Sequence, residues 1–142
     1  MPFENTAMKT FAEIQSQVAK QFRVVYSEPF MLALEVPVGS SGRRQDVFLA
    51  ELKNSDDRRI LRLESNIAPL TEHQAEKCLR VNLMLRIGYL AVGDLDGIPF
   101  IKLCHNLTYD QLEERSLNYV IEQLALLADG MEETLTGGDD RF

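Results

Sequence analysis

Between Thr71 and Leu135 the chain reads as a helix, a two-strand hairpin and a long second helix. Few folds accommodate that order behind an N-terminal helix and a set of strands. Thr71 and Gln74 stand at the spacing of a capping box, in which each residue satisfies a backbone donor left free at a helix start. The helix is expected to begin at Glu72 and to end before Gly88, which suits the left-handed position after a helix. Tyr89-Leu90-Ala91-Val92 and Ile98-Pro99-Phe100-Ile101-Lys102-Leu103 then flank a hairpin loop, Gly93-Asp94-Leu95-Asp96-Gly97. Pro99 cannot donate to a ladder, so its strand is expected to start at an edge or outside the regular pairing. Thr108 and Gln111 repeat the capping box and open the last helix, which places Leu112, Val120, Leu124, Leu127 and Met131 on one face. Unbroken to Leu135, it would be ~40 Å long. Gly130 is expected to loosen its final turns.

Ahead of this segment the apolar period changes once. Ala7, Phe11, Ile14 and Val18 recur at steps of three and four, the signature of an amphipathic helix from about Thr6 to Gln21. From Phe22 the period is two: Phe22, Val24 and Tyr26, then Phe30, Leu32, Leu34 and Val36, with Ser27-Glu28-Pro29 as the turn between two paired strands. Gly39-Ser40-Ser41-Gly42 reads as a loop. A phosphate cradle would need a helix N-terminus and a spaced lysine after it, and a strand follows instead. Asp46 to Lys53 and Arg59 to Glu64 are further strands, joined by the turn formers Asn54-Ser55-Asp56-Asp57.

With 142 residues, 45% of them hydrophobic, the chain suits one core. We expect a single α+β domain over residues 1–136 and a mobile tail over 137–142, where periodicity stops. No apolar run approaches the ~20 residues of a membrane helix, and no secretory pattern opens the chain, so the cytoplasm is the expected location. The net charge of −7 disfavours phosphate backbones. The one basic cluster, Lys53, Arg58, Arg59 and Arg62, is interrupted by Asp56 and Asp57 and reads as a solvated hairpin tip.

Residue types that carry chemistry are sparse. His73, Cys78, Cys104 and His105 could in number satisfy a tetrahedral zinc ion. Their spacing opposes it: His73 and Cys78 lie about 140° apart around a helix, and adjacent Cys104 and His105 point to opposite sides of a strand. Asp94 and Asp96 begin like a calcium loop but lack its closing glutamate, and both suit the turn. We therefore expect no catalytic centre, metal or cofactor. The competing readings are a small hydrolase or transferase with a cleft beside His73 or His105, and a ligand-sensing regulatory domain.

Helix two bears on assembly. Ala75, Cys78, Leu79, Asn82 and Arg86 share one face, while Val81, Leu83, Met84 and Ile87 spread apolar character around the others. A helix apolar on nearly all sides is buried on more than one. One surface can face its own sheet while Val81, Met84 and Ile87 meet a second copy, and we expect a homodimer. Asn82 would then need a polar partner, from the hairpin backbone or from the second subunit, unless the helix is rotated and turns it to solvent.

The run Leu79-Arg80-Val81-Asn82-Leu83-Met84, continuing through Ile87-Gly88-Tyr89-Leu90-Ala91-Val92 to the polar turn and Ile98, resembles the YbjN-like branch of the type III secretion chaperone-like superfamily. Leu107-Thr108 and the long helix follow as they do there. The resemblance implies an antiparallel sheet with helices on one side, in the order α-β-β-β-(β)-α-β-β-α. The bracketed strand is one more than the minimal pattern of that superfamily. It also implies a homodimer that holds an extended segment of a partner protein; that no nucleic acid and no membrane are involved is the expectation from the charge and the short apolar runs. Strand edges and alternating side chains suit such a ligand. The expected groove residues are Phe30, Leu32, Val47 and Leu49, or their opposite-face neighbours, with core packing the alternative for whichever set faces the helices.

Overall fold

The computed structural model describes residues 8, 10–39, 42–72 and 74–136. Along them run α1 (Phe11–Val18), β1 (Arg23–Glu28), β2 (Met31–Val38), β3 (Arg43–Lys53), β4 (Arg59–Pro69), α2 (Gln74–Asn82), β5 (Tyr89–Leu95), β6 (Ile98–Thr108), a short 3-10 turn (Tyr109–Gln111) and α3 (Glu114–Thr136). The strands form one antiparallel sheet in the order β1-β2-β3-β4-β6-β5. Chain neighbours pair until β4. There α2 carries the chain past one position to the far edge, and β6 returns to fill the gap. The fold is therefore α+β in the expected element order, with four strands ahead of α2. The first helix, expected from about Thr6 to Gln21, is shorter: Thr10 is its cap in extended conformation and it ends at Val18, while residues 1–7 and 9 and the tail over 137–142 lie outside the described residues.

Alternation along the strands puts Leu34, Val36, Val47, Leu49, Leu61, Leu63, Ile101 and Leu103 on one face, all essentially fully buried. Leu117, Ile121, Leu124, Ala125 and Ala128 of α3 close over them, and Phe11, Ile14 and Val18 of α1 join the same core. Each of the larger side chains removed from water, the valines, leucines, isoleucines and Phe11, contributes roughly 1.5–3 kcal/mol before entropy is counted. Thr10 caps α1, its Oγ1 accepting from the Glu13 N–H at 3.2 Å. Arg43 at the start of β3 reaches Asp129 and, at 3.2 Å, Glu133, tying the far end of α3 to the sheet.

Several expected boundaries move, each for a local reason. β4 runs past Glu64 to Pro69 because its polar residues are satisfied inside the sheet. Ser65 Oγ donates to the Asp46 carbonyl at 2.6 Å, and Gln45 Nε2 donates to Ser65 Oγ at 2.9 Å and to the Asn66 carbonyl at 3.0 Å. Helix two ends at Asn82, well short of Gly88, and i→i+3 bonds from Leu83 to Arg80 and from Met84 to Val81 tighten its exit. Its start is half of the expected box: the Thr71 N–H donates to Gln74 Oε1 at 3.0 Å. At Thr108 no side-chain cap forms, and β6 continues through that residue into the 3-10 turn. α3 begins only at Glu114, spans about 34 Å and passes Gly130 without a break.

The β5–β6 turn is only Asp96-Gly97, with φ of 52° and 78°, the left-handed pair of a type I′ hairpin. Gly93, Asp94 and Leu95 are thus strand. Pro99 stands inside the pairing, opposite Asp94. Its carbonyl accepts from the Leu70 N–H at 2.9 Å, so its missing donor would face the β4 side, just beyond the last β4–β6 pair, Pro69 with Phe100. Gly88 does hold a left-handed φ of 80°, as part of the approach to β5 and not as a helix cap.

Candidate functional site

Because the helices share one face of the sheet, the opposite face is left uncovered by the described residues. Its residues are the other parity: Met31 and Ala33 of β2, Phe48, Ala50 and Leu52 of β3, Arg62, Glu64 and Asn66 of β4, Lys102 and Cys104 of β6. Cross-strand pairing sets them in rows. One runs Tyr26, Ala33, Phe48, Glu64, Cys104, Tyr89, and its neighbour runs Glu28, Met31, Ala50, Arg62, Asn106. Leu95, near the tip of the β5–β6 hairpin, lies against the same face. Met31, Phe48, Ala50, Leu52 and Leu95, flanked by Arg62, Glu64, Asn66 and Lys102, line an open groove of about 260 Å³.

This placement corrects the expected groove. Leu32, Val47 and Leu49 have no exposed surface and belong to the core beneath α3. Their opposite-face neighbours Met31, Phe48 and Ala50 take the groove instead. Phe30 is 64% exposed, in the turn ahead of β2 and outside the regular strand. Arg62 lies in the expected strand from Arg59 to Glu64, but the basic cluster reading hides its place on this face; Leu95, expected in the hairpin loop, continues the two-residue period of Tyr89, Ala91 and Gly93.

A second apolar surface lies on and beyond α2. Leu79, Leu83 and Met84 are 69%, 88% and 75% exposed. Of the residues expected at a subunit contact, Met84 is on this surface, while Val81 and Ile87 are half-buried against the core. Asn82 is turned inward: its Nδ2 donates to the Leu90 carbonyl at 3.1 Å and its Oδ1 accepts from the Leu90 N–H at 2.5 Å.

Two members of the basic cluster, Arg58 and Arg59, are neutralised where they stand. Arg58 pairs with Asp56 at 3.3 Å and Arg59 with Glu51 at 3.8 Å, and Arg59 also covers the Tyr109 ring at 4.9 Å. Tyr109 donates to Glu51 at 2.8 Å, and burial together with that carboxylate pushes its hydroxyl well above the ordinary tyrosine range. Asn54, Asp56, Asp57 and Asp110 line the adjoining cleft of about 550 Å³, so it has no surplus of positive charge for an anion.

Both cysteines are free and buried. Burial, reinforced by Glu64, pushes the Cys104 thiol up to about 11, which leaves it protonated and a weak nucleophile at neutral pH. Cys104 points to the uncovered face and His105 to the core side, where His105 Nδ1 accepts from the Gly88 N–H at 3.0 Å. Burial lowers the His105 pKa below its ordinary value. His73 lies outside the described residues. Among the described residues, no group of three histidine, cysteine or acidic side chains is placed to hold a metal ion, and no helix is long and apolar enough to cross a membrane.

Compared with models of known families, with curated proteins and with solved structures, the chain matches none of them.

Proposed function

We propose that the protein is a binding module that holds an extended segment of a partner protein against the uncovered sheet face, in the manner of the secretion chaperone-like and YbjN-like proteins its sequence resembles. The supporting observation is the groove between Phe48, Ala50, Leu52 and Leu95. It is an apolar recess at the centre of a sheet face that none of the described helices covers, and exposed apolar surface rimmed by polar residues is the kind that interaction sites use. An extended chain presents a side chain to one face every second residue, which matches the row spacing of the sheet. The module acts as a homodimer joined through the exposed Leu79, Leu83 and Met84 surface, in the cytoplasm.

A photo-reactive amino acid at Leu52, on the groove rim, tests this in the source cell. The expected result is a crosslink to one protein, mapped by mass spectrometry to a segment outside its folded domains and abolished by Phe48→Asp. Crosslinks that persist unchanged in Phe48→Asp, or that map to a folded surface, would defeat the reading.

A further inference from the structure

Three charged side chains line the groove, and they are not equivalent. Lys102 Nζ lies 3.5 Å from Glu64 Oε2, so those two charges answer each other. Arg62 donates from Nε to Asn106 Oδ1 at 3.0 Å, a neutral acceptor, and has no carboxylate partner among the described residues. Several arginines elsewhere in the chain have carboxylate partners: Arg23 and Arg44 pair with Glu35, Arg43 with Asp129 and Glu133, Arg80 with Glu76. With two cations and one anion, the groove carries a surplus positive charge in a chain whose net charge is −7.

The position of that charge is specific. Arg62 sits directly across from Ala50, which is itself across from Met31. The alanine side chain is too short to cover its neighbour, so the strand that floors the recess and the strand that carries Arg62 lie one strand spacing apart, about 4.8 Å, while the guanidinium itself leans toward Asn106 on β6 and lines the recess edge. While the groove is open, water solvates the guanidinium. A purely apolar ligand would strip that water and return nothing, an outcome that costs binding energy. A carboxylate replaces the water with charge-assisted bonds, and the planar fork of arginine accommodates it in two parallel contacts.

We infer that the segment held in this groove is acidic as well as apolar: a bulky apolar side chain enters the recess of Phe48, Ala50, Leu52 and Leu95, and an aspartate or glutamate beside it pairs with Arg62. This rests on the reading of the groove as the partner site. It assigns Arg62 as the residue that sets specificity and Phe48 as the residue that supplies affinity.

Random linear peptides displayed on phage, selected on the full chain and on its Arg62→Gln and Phe48→Asp variants, separate the two levels. The wild type is expected to enrich sequences in which an acidic residue neighbours a bulky apolar one. Replacing that acid by its amide in a synthetic peptide is expected to weaken binding about tenfold on the wild type and not at all on Arg62→Gln. Arg62→Lys, which keeps stem and charge but not the fork, is expected to recover part of the preference. Peptides that depend on Phe48 but show no acid preference, or an acid preference that survives in Arg62→Gln, would overturn the inference and leave the groove reading standing. Failure to select any peptide sensitive to Phe48→Asp would overturn both.

Discussion

Asn82 and Leu90 share two hydrogen bonds, one in each direction, between the last residue of α2 and the backbone of β5. β5 is an edge strand, and the groups that Asn82 engages belong to its outer side, which pairs with no other strand. The amide thus does for one residue of the edge what a seventh strand would do, and it stops α2 there. An edge position satisfied in this way is also closed to an intruding strand.

Asn82→Ala leaves both Leu90 groups without protein partners in a half-buried setting. The expected loss is about 1–3 kcal/mol, read as a lower urea midpoint with an unchanged slope. Asn82→Asp keeps the acceptor but sets a carboxylate oxygen against the Leu90 carbonyl, and it is expected to be no milder. An unshifted midpoint in both variants would show that the pair contributes nothing net.

Gly88 and Gly130 predict opposite signs for one substitution. At Gly88 a Cβ would meet Leu103 Cδ1 at 3.1 Å and the Cys104 carbonyl oxygen at 3.2 Å, at a φ of 80°. Gly88→Ala is expected to cost at least about 1–2 kcal/mol. At Gly130, inside α3, a Cβ would meet nothing within 4 Å, and Gly130→Ala is expected to stabilise by about 0.5–1 kcal/mol. Thermal melts of the two single variants suffice.

His105 gives the fold an acid sensitivity. Burial lowers its pKa in the folded state, and its Nδ1 must stay unprotonated to accept from Gly88. The unfolded chain binds this proton first, so stability falls as pH drops below about 6.5 and levels off once the folded state is protonated too. His105→Asn, which retains an acceptor near the Nδ1 position and does not titrate, is expected to flatten the melting temperature between pH 7 and pH 5. An equally steep fall in this variant would assign the sensitivity to other groups.

The α2 surface makes its own prediction. Leu83→Glu combined with Met84→Glu alters two strongly exposed side chains that the monomer core does not use. The pair is expected to halve the mass measured by light scattering while leaving the melting curve of the monomer intact. A wild type that already runs as a monomer would end the proposal of a dimer through this helix.

Much of this architecture is legible in the residues, because period-two and period-3.6 runs are long and sharply separated. What the pattern hides is informative. Ser65 and Asn66 interrupt the apolar alternation, so β4 looks shorter than it is; their pairing with Leu103 and Lys102 of β6 and the bonds to Gln45 and Asp46, all distant in sequence, make a strand of them. Leu83 and Met84 look like a continuing helix because they are good helix formers, and the bond from Asn82 to Leu90 overrides that propensity. Parity marks Leu32, Val47 and Leu49 as one set and Met31, Phe48 and Ala50 as the other, but nothing local says which set the helices cover. That choice is made by α3, far along the chain, and it decides which residues form the groove.

The Asp96-Gly97 turn has a consequence for how this protein can vary. A two-residue connection has no slack, so losing or gaining one residue within β5, the turn or the first half of β6 would slide one strand past the other and exchange its two faces. Leu95 would leave the groove, or Ile101 and Leu103 would leave the core. Side chains along this hairpin can change identity one at a time. Its length is a quantity the fold cannot renegotiate.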